Sequence, residues 1–145
     1  MEEIILESDK EEIFGILSNL GLDEEEIKSV NKRNKMINET TASEIDDIVN
    51  FFKIKCNVDK DDIARIIIKN PFILNESFDR IDLLSEIYEK IGFTPEEYKT
   101  YISNYAKAFS LNPKEVLDTI YNMIKEGESM ENVKRLMIEN ADRLF

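Results

Sequence analysis

A chain of 145 residues, 42% hydrophobic and 34% charged with only 4 Gly and 3 Pro, can bury a single-domain core and is composed for helices joined by short connections. Its 31 acidic and 19 basic residues give a net charge of −12, which repels phosphate backbones and anionic membranes on average. With no histidine and one cysteine, Cys56, the sequence excludes Ser-His and Cys-His catalysis and an internal disulfide; no catalytic, cofactor or metal site is expected, and a reducing, cytoplasmic setting is.

The opening stretch Met1-Glu2-Glu3-Ile4-Ile5-Leu6-Glu7 is acidic where a signal or transit peptide is basic. No apolar run approaches the roughly 20 residues of a membrane span. Residues 1–7 are expected to form an arm whose Ile4, Ile5 and Leu6 cover the end of a helical stack. Asp9 has the character of a helix N-cap, with Glu12 three residues on and an apolar face of Ile13, Ile16, Leu17 and Leu20 behind it. This is half of a unit that then recurs.

Segments beginning at Gly21, Asn57, Gly92 and Gly127 lie 36, 35 and 35 residues apart, in the range of paired-helix repeats. Two residues into each comes a cap type, Asp23, Asp59, Thr94 and Ser129, followed three residues later by Glu26, Asp62, Glu97 and Asn132. Apolar pairs such as Ile27 with Val30, Ile63 with Ile66, Tyr98 with Tyr101 and Val133 with Leu136 supply one helical face. Thirteen residues after each start stand Asn34, Asn70, Tyr105 and Asn140; asparagine tolerates the left-handed conformation that ends helices. Pro71 keeps Asn70 out of helical dihedrals, so the chain turns and returns Leu74 to the core, with Phe109 and Leu144 at the equivalent positions. A second set of caps, Thr41, Ser77 and Asn112, opens the second helices. The expected fold is therefore all-α: a single domain over 1–145, an α-solenoid of about four two-helix repeats (21–56, 57–91, 92–126 and 127–145) after the half unit 9–20, with about eight helices.

Over about half the chain, Ile66-Ile67-Ile68-Lys69-Asn70-Pro71-Phe72-Ile73-Leu74 and Ile91-Gly92-Phe93-Thr94-Pro95 resemble the repeats of the mitochondrial transcription termination factor (mTERF) family. In that family a Gly-Phe capped helix leads through a Pro-x-x-Leu connector into a second helix. The resemblance implies a superhelical stack of helix pairs that binds DNA or RNA along a basic surface. This chain departs from it in its shortness, its acidity and its acidic opening.

The acidic clusters at 23–26 and 59–62 are read as helix starts stabilised by the helix dipole, not as metal sites. Lys28, Lys32, Arg33, Arg65, Lys69, Lys99, Lys134 and Arg135 fall late in the first helices, where aligned repeats would stack them into a basic ladder. Dipole compensation accounts for the same placement. Tyr98, Tyr101 and Tyr105 form a stripe expected to bury its ring faces with hydroxyls reaching water or a groove. The ladder and the stripe are the candidate binding surface. The expected function is non-enzymatic: a helical-repeat protein that binds or regulates a protein partner, such as an acidic inhibitor of a nucleic-acid-handling protein. The alternative is an mTERF-like DNA or RNA binder using the ladder. No membrane partner is expected, and Leu136, Met137, Leu144 and Phe145 offer a homodimer contact at the C-terminal end.

Overall fold

Each repeat opens on left-handed backbone. Gly21, Gly92 and Gly127 have φ of 99°, 90° and 102°, and Asn57, which replaces glycine at the second start, has φ 53°. That conformation costs a residue with a β-carbon roughly 1–2 kcal/mol and glycine little, with asparagine intermediate. Two residues later the caps close as their types dictate. Asp23 and Thr94 form reciprocal capping boxes with Glu26 and Glu97, and Asp59 and Ser129 accept from the backbone N–H of Asp62 and Asn132.

The structure, a computed structural model, describes residues 7–145. Among them are eight α-helices and no strand: α1 (Glu7–Asn19), α2 (Glu24–Arg33), α3 (Ala42–Asn50), α4 (Lys60–Lys69), α5 (Phe78–Ile91), α6 (Pro95–Asn104), α7 (Pro113–Lys125) and α8 (Met130–Leu144). Asp9 lies inside α1 instead of capping it. Of the arm expected at 1–7, Glu7 already belongs to that helix, and the packing expected of Ile4, Ile5 and Leu6 lies outside the described residues.

The helix ends correct one expectation. Asn34, Asn70 and Tyr105 leave their helices at φ −114°, −137° and −116°, and Asn140 kinks α8 at φ −136°. These negative angles are open to any residue. Tyrosine therefore makes the same turn as asparagine, and the left-handed residues sit at the repeat starts instead. After Asn34 and Asn70 the chain passes through short 3₁₀ helices, Lys35–Glu39 and Pro71–Asn75, before the next cap.

The first repeat is one residue longer than the next two, and the surplus can be located. Thr41 to Asn57 spans 16 residues, whereas Ser77 to Gly92 and Asn112 to Gly127 each span 15. Inside that longer interval α3 ends in a π-helical turn, Phe51–Lys55. A π turn holds one extra residue without ending the helix, so the buried Phe51 and Phe52 stay on the core side while Ile54 is pushed out, 81% exposed.

The chain forms two compact units, Met1–Glu76 and Ser77–Phe145. In unit 1, α1 packs on α3 and α2 on α4, so second helices adjoin second helices and first adjoin first. The core is mainly aliphatic, with Leu17, Ile45, Ile63, Ile66, Ile67, Ile73 and Leu74 almost completely buried, and Phe52 is its one ring buried to the same degree among the described residues. In unit 2, α5 packs on α7 and α6 on α8. Its centre is aromatic: Tyr88 meets Tyr101 and Phe109 edge to face at 5.0 and 5.7 Å, and Phe93 stacks on Tyr101 at 5.5 Å. No helix of the described residues is long and apolar enough to cross a membrane.

Candidate binding surfaces

Most of the cations proposed for the ladder are engaged within the fold. Arg33 donates from Nη1 and Nη2 to the carbonyls of Ile68 and Lys69 at 2.5 and 3.2 Å, capping the end of α4 from the neighbouring helix. Those carbonyls lack helical partners, so the guanidinium supplies donors the helix itself cannot. Lys134 is buried; its Nζ lies 2.8 Å from Glu131, 3.6 Å from Glu97 and 3.2 Å from the carbonyl of Gly92. The Glu131 carboxylate, with help from Glu97, holds the Lys134 ammonium above its usual range. Glu97 is held below the usual carboxylate range first by the Thr94 N–H and also by Lys134. Arg65 pairs with Asp62, Lys28 with Glu25 at 3.9 Å, and Arg135 with Glu139 and Asn132. Lys32, Lys69 and Lys99 make no ion pair among the described residues.

The tyrosine stripe belongs to the core of unit 2. Tyr98, Tyr101 and Tyr105 are all buried; the hydroxyls of Tyr98 and Tyr101 lie inside the fold, whereas Tyr105 lines a cavity with Asn140 and Asp142. The Tyr98 hydroxyl shares a hydrogen bond with Ser85 at 2.9 Å, and Tyr101's makes none in the described structure. Burial pushes the phenols of Tyr88, Tyr101 and Tyr105 above their usual range, so they stay neutral. At the C-terminal end Met137 is buried and Phe145 stacks on Tyr105 at 6.4 Å.

Two other surfaces emerge. In unit 2 a groove of about 250 Å³ runs between α5 and α7, lined by Leu83, Glu86, Ile87, Lys90, Ile91, Leu117, Ile120 and Met130. Leu83 and Leu117 are 47% and 51% exposed, and Tyr121 and Ile124 continue the open stripe at i+4 and i+7 from Leu117. The sequence held a signal for it: Leu83 beside Leu84 and Leu117 beside Val116 are apolar residues surplus to one buried helical face.

In unit 1 the adjoining connectors are stitched together. Asn34, fully buried, donates from Nδ2 to the Pro71 carbonyl at 2.9 Å and to Asn75 Oδ1 at 2.6 Å; Asn75 donates to the carbonyl of Met36 at 2.7 Å. On this frame Met36 and Phe72, at the same place in the two connectors, are 52% and 50% exposed, near the exposed Lys32, Lys35 and Lys69. Lys35, Met36 and Phe72 lie in the connectors, outside the helix-aligned ladder that the repeat spacing predicts.

No curated protein matches the chain. The mTERF family model matches residues 4–140. With its repeated caps, paired helices and Pro-x-x-Leu connector, the chain belongs to the mTERF family.

Proposed function

We propose that this protein is a non-enzymatic helical-repeat binding protein whose main partner is another protein. The observation that carries the proposal is the open apolar groove between α5 and α7, on a chain that is otherwise strongly charged and acidic. Two further features support it. Arg33, Arg65, Lys134 and Arg135 are occupied by internal partners, which depletes the basic ladder, and a net charge of −12 favours cationic partners over phosphate backbones. The absence of histidine from the sequence and the neutral, buried phenols support a binding role over a catalytic one. Affinity purification of the full chain with and without nuclease tests this: a protein partner retained after nuclease is expected, and recovery of nucleic acid without nuclease together with loss of every protein after it would reject the proposal.

Family membership and the connector edge of unit 1 favour a second reading, nucleic-acid binding, in which Lys32, Lys35 and Lys69 meet phosphates and Met36 and Phe72 meet bases. Affinity would then fall steeply with salt, and charge reversal at Lys32 and Lys69 would flatten that slope. Absence of binding to duplex or single strands at low salt would dismiss it.

A further inference from the structure

We infer that the connector edge of unit 1 receives a short acidic peptide segment of a protein partner, with apolar side chains set among its carboxylates; this rests on the protein-binding function proposed above. The edge reverses the charge of the molecule. Residues 31–36 and 68–73 hold Lys32, Arg33, Lys35 and Lys69 and no acid, on a chain that carries −12. Glu39 and Glu76 come only at the ends of the two 3₁₀ turns. The two segments meet because Arg33 caps α4 through the carbonyls of Ile68 and Lys69, and because Asn34 and Asn75 donate to the carbonyls of Pro71 and Met36. These bonds engage the Arg33 guanidinium inside the fold. Lys32, Lys35 and Lys69 stay exposed, with no ion pair among the described residues. Like charges gathered on one edge are relieved by an anionic partner.

Magnitude decides which anion. Three lysines can neutralise three phosphates, and counterion release from three contacts gains only about a hundredfold at ~0.15 M salt. A nucleic acid longer than the patch would also run onto a surface of the opposite sign, whereas a short peptide stays within it. The rest of the affinity has to come from apolar contact with Met36 and Phe72, half exposed at the same place in the two connectors. α2 packs on α4, and packed helices stand roughly 8–10 Å apart. An extended peptide covers that separation in about three residues at ~3.3 Å each. One apolar side chain then meets each connector, and the carboxylates beside them meet the lysines.

The test uses the full chain and a fluorescent peptide of about 12 residues with Phe at every third position among Asp and Glu. A peptide with Ser in place of Phe, a Phe/Lys peptide, a single-stranded oligonucleotide and a duplex serve as comparisons. The acidic Phe peptide should bind more tightly than any of them at ~0.15 M salt. Lys69→Glu and Phe72→Ala should each weaken it by roughly tenfold. Lys125→Glu makes the same change of charge at an exposed site in unit 2 and should leave affinity within about twofold. All three substitutions fall at exposed positions, and unchanged thermal midpoints would show that the variants fold.

No binding, equal binding of the Ser or Phe/Lys peptide, or equal weakening by Lys125→Glu would overturn the assignment. So would tighter binding of either oligonucleotide with the same losses at Lys69 and Phe72, which would give the edge to nucleic acid. A nuclease-resistant protein partner retained in full by Lys69→Glu and Phe72→Ala would sink the edge and leave the protein-binding function standing. Intact peptide binding with no such partner for the wild type would sink that function and leave the edge.

Discussion

Unit 1 leaves its first helices through Asn34 and Asn70, and unit 2 makes the same turn through Tyr105. The backbone angles nearly coincide, but the chemistry around them does not. Around the asparagines, adjoining connectors are joined by directional hydrogen bonds from Asn34, Asn75 and Arg33 over an aliphatic core. Around Tyr105, rings pack on one another, with Tyr101 at 6.0 Å and Phe145 at 6.4 Å. The repeat therefore specifies a backbone path and leaves open whether polar stitching or aromatic area holds it. Stitching fixes register at modest net stabilisation, whereas ring burial contributes more and is more tolerant of small shifts.

The sharpest test compares Leu74 and Phe109, which hold the same place in successive repeats and are both almost fully buried. Phe109→Ala should cost about 3–5 kcal/mol and Leu74→Ala about 2–5 kcal/mol in denaturant unfolding. A near-neutral result for either would mean that its connector does not anchor the unit. Asn34→Ala should cost about 1–3 kcal/mol, because it leaves Asn75 and the Pro71 carbonyl short of a donor. Hydrogen exchange would locate that loss, expected around the connectors of unit 1.

Within unit 2, two tyrosines separate ring from hydroxyl. Tyr88 donates to the Ala108 carbonyl, so Tyr88→Phe should cost about 1 kcal/mol. Tyr101→Phe removes a buried hydroxyl without a partner and should leave stability unchanged or slightly raised. Reversal of that order in thermal melts would break the assignment of hydroxyl roles. A gentler effect follows from pH. Glu97 titrates below the ordinary 4.5 when folded, so its contribution is present above that value and lost as pH falls through its lowered one. Lys134 is raised, so its contribution holds at neutral pH and is lost only as alkaline pH passes its folded value. Melting Glu97→Gln against wild type below about pH 5 should show a shallower acid loss; an unchanged acid limb would contradict the geometry at Thr94.

The legible part of the molecule was its local part. Caps act over three residues and apolar faces over four, so Asp23 with Glu26, Thr94 with Glu97 and the eight helices could be read along the chain. What escaped reading was set by distant partners. Arg33 looked like a surface cation until its acceptors proved to lie 35 and 36 residues away, and Lys134 reaches Gly92 across 42. Tyr98 looked amphipathic because nothing local revealed Ser85 opposite its hydroxyl. Propensity alone points to the asparagines at the helix ends for left-handed backbone, whereas the structure puts it at the repeat starts, three of which carry glycine.

The π turn at Phe51–Lys55 gives the chain slack in its length. A residue gained or lost there changes the count between Thr41 and Asn57 without renumbering the contacts of the helices that follow. Excising Ile54, whose side chain faces solvent, should convert the turn to ordinary α-helix and shift the melting point little. Excising a residue midway along α5, which has no such turn, would rotate half of that helix by about 100° and displace its buried face. Repeats joined by a turn of this kind are free to differ in length by one residue while sharing one architecture.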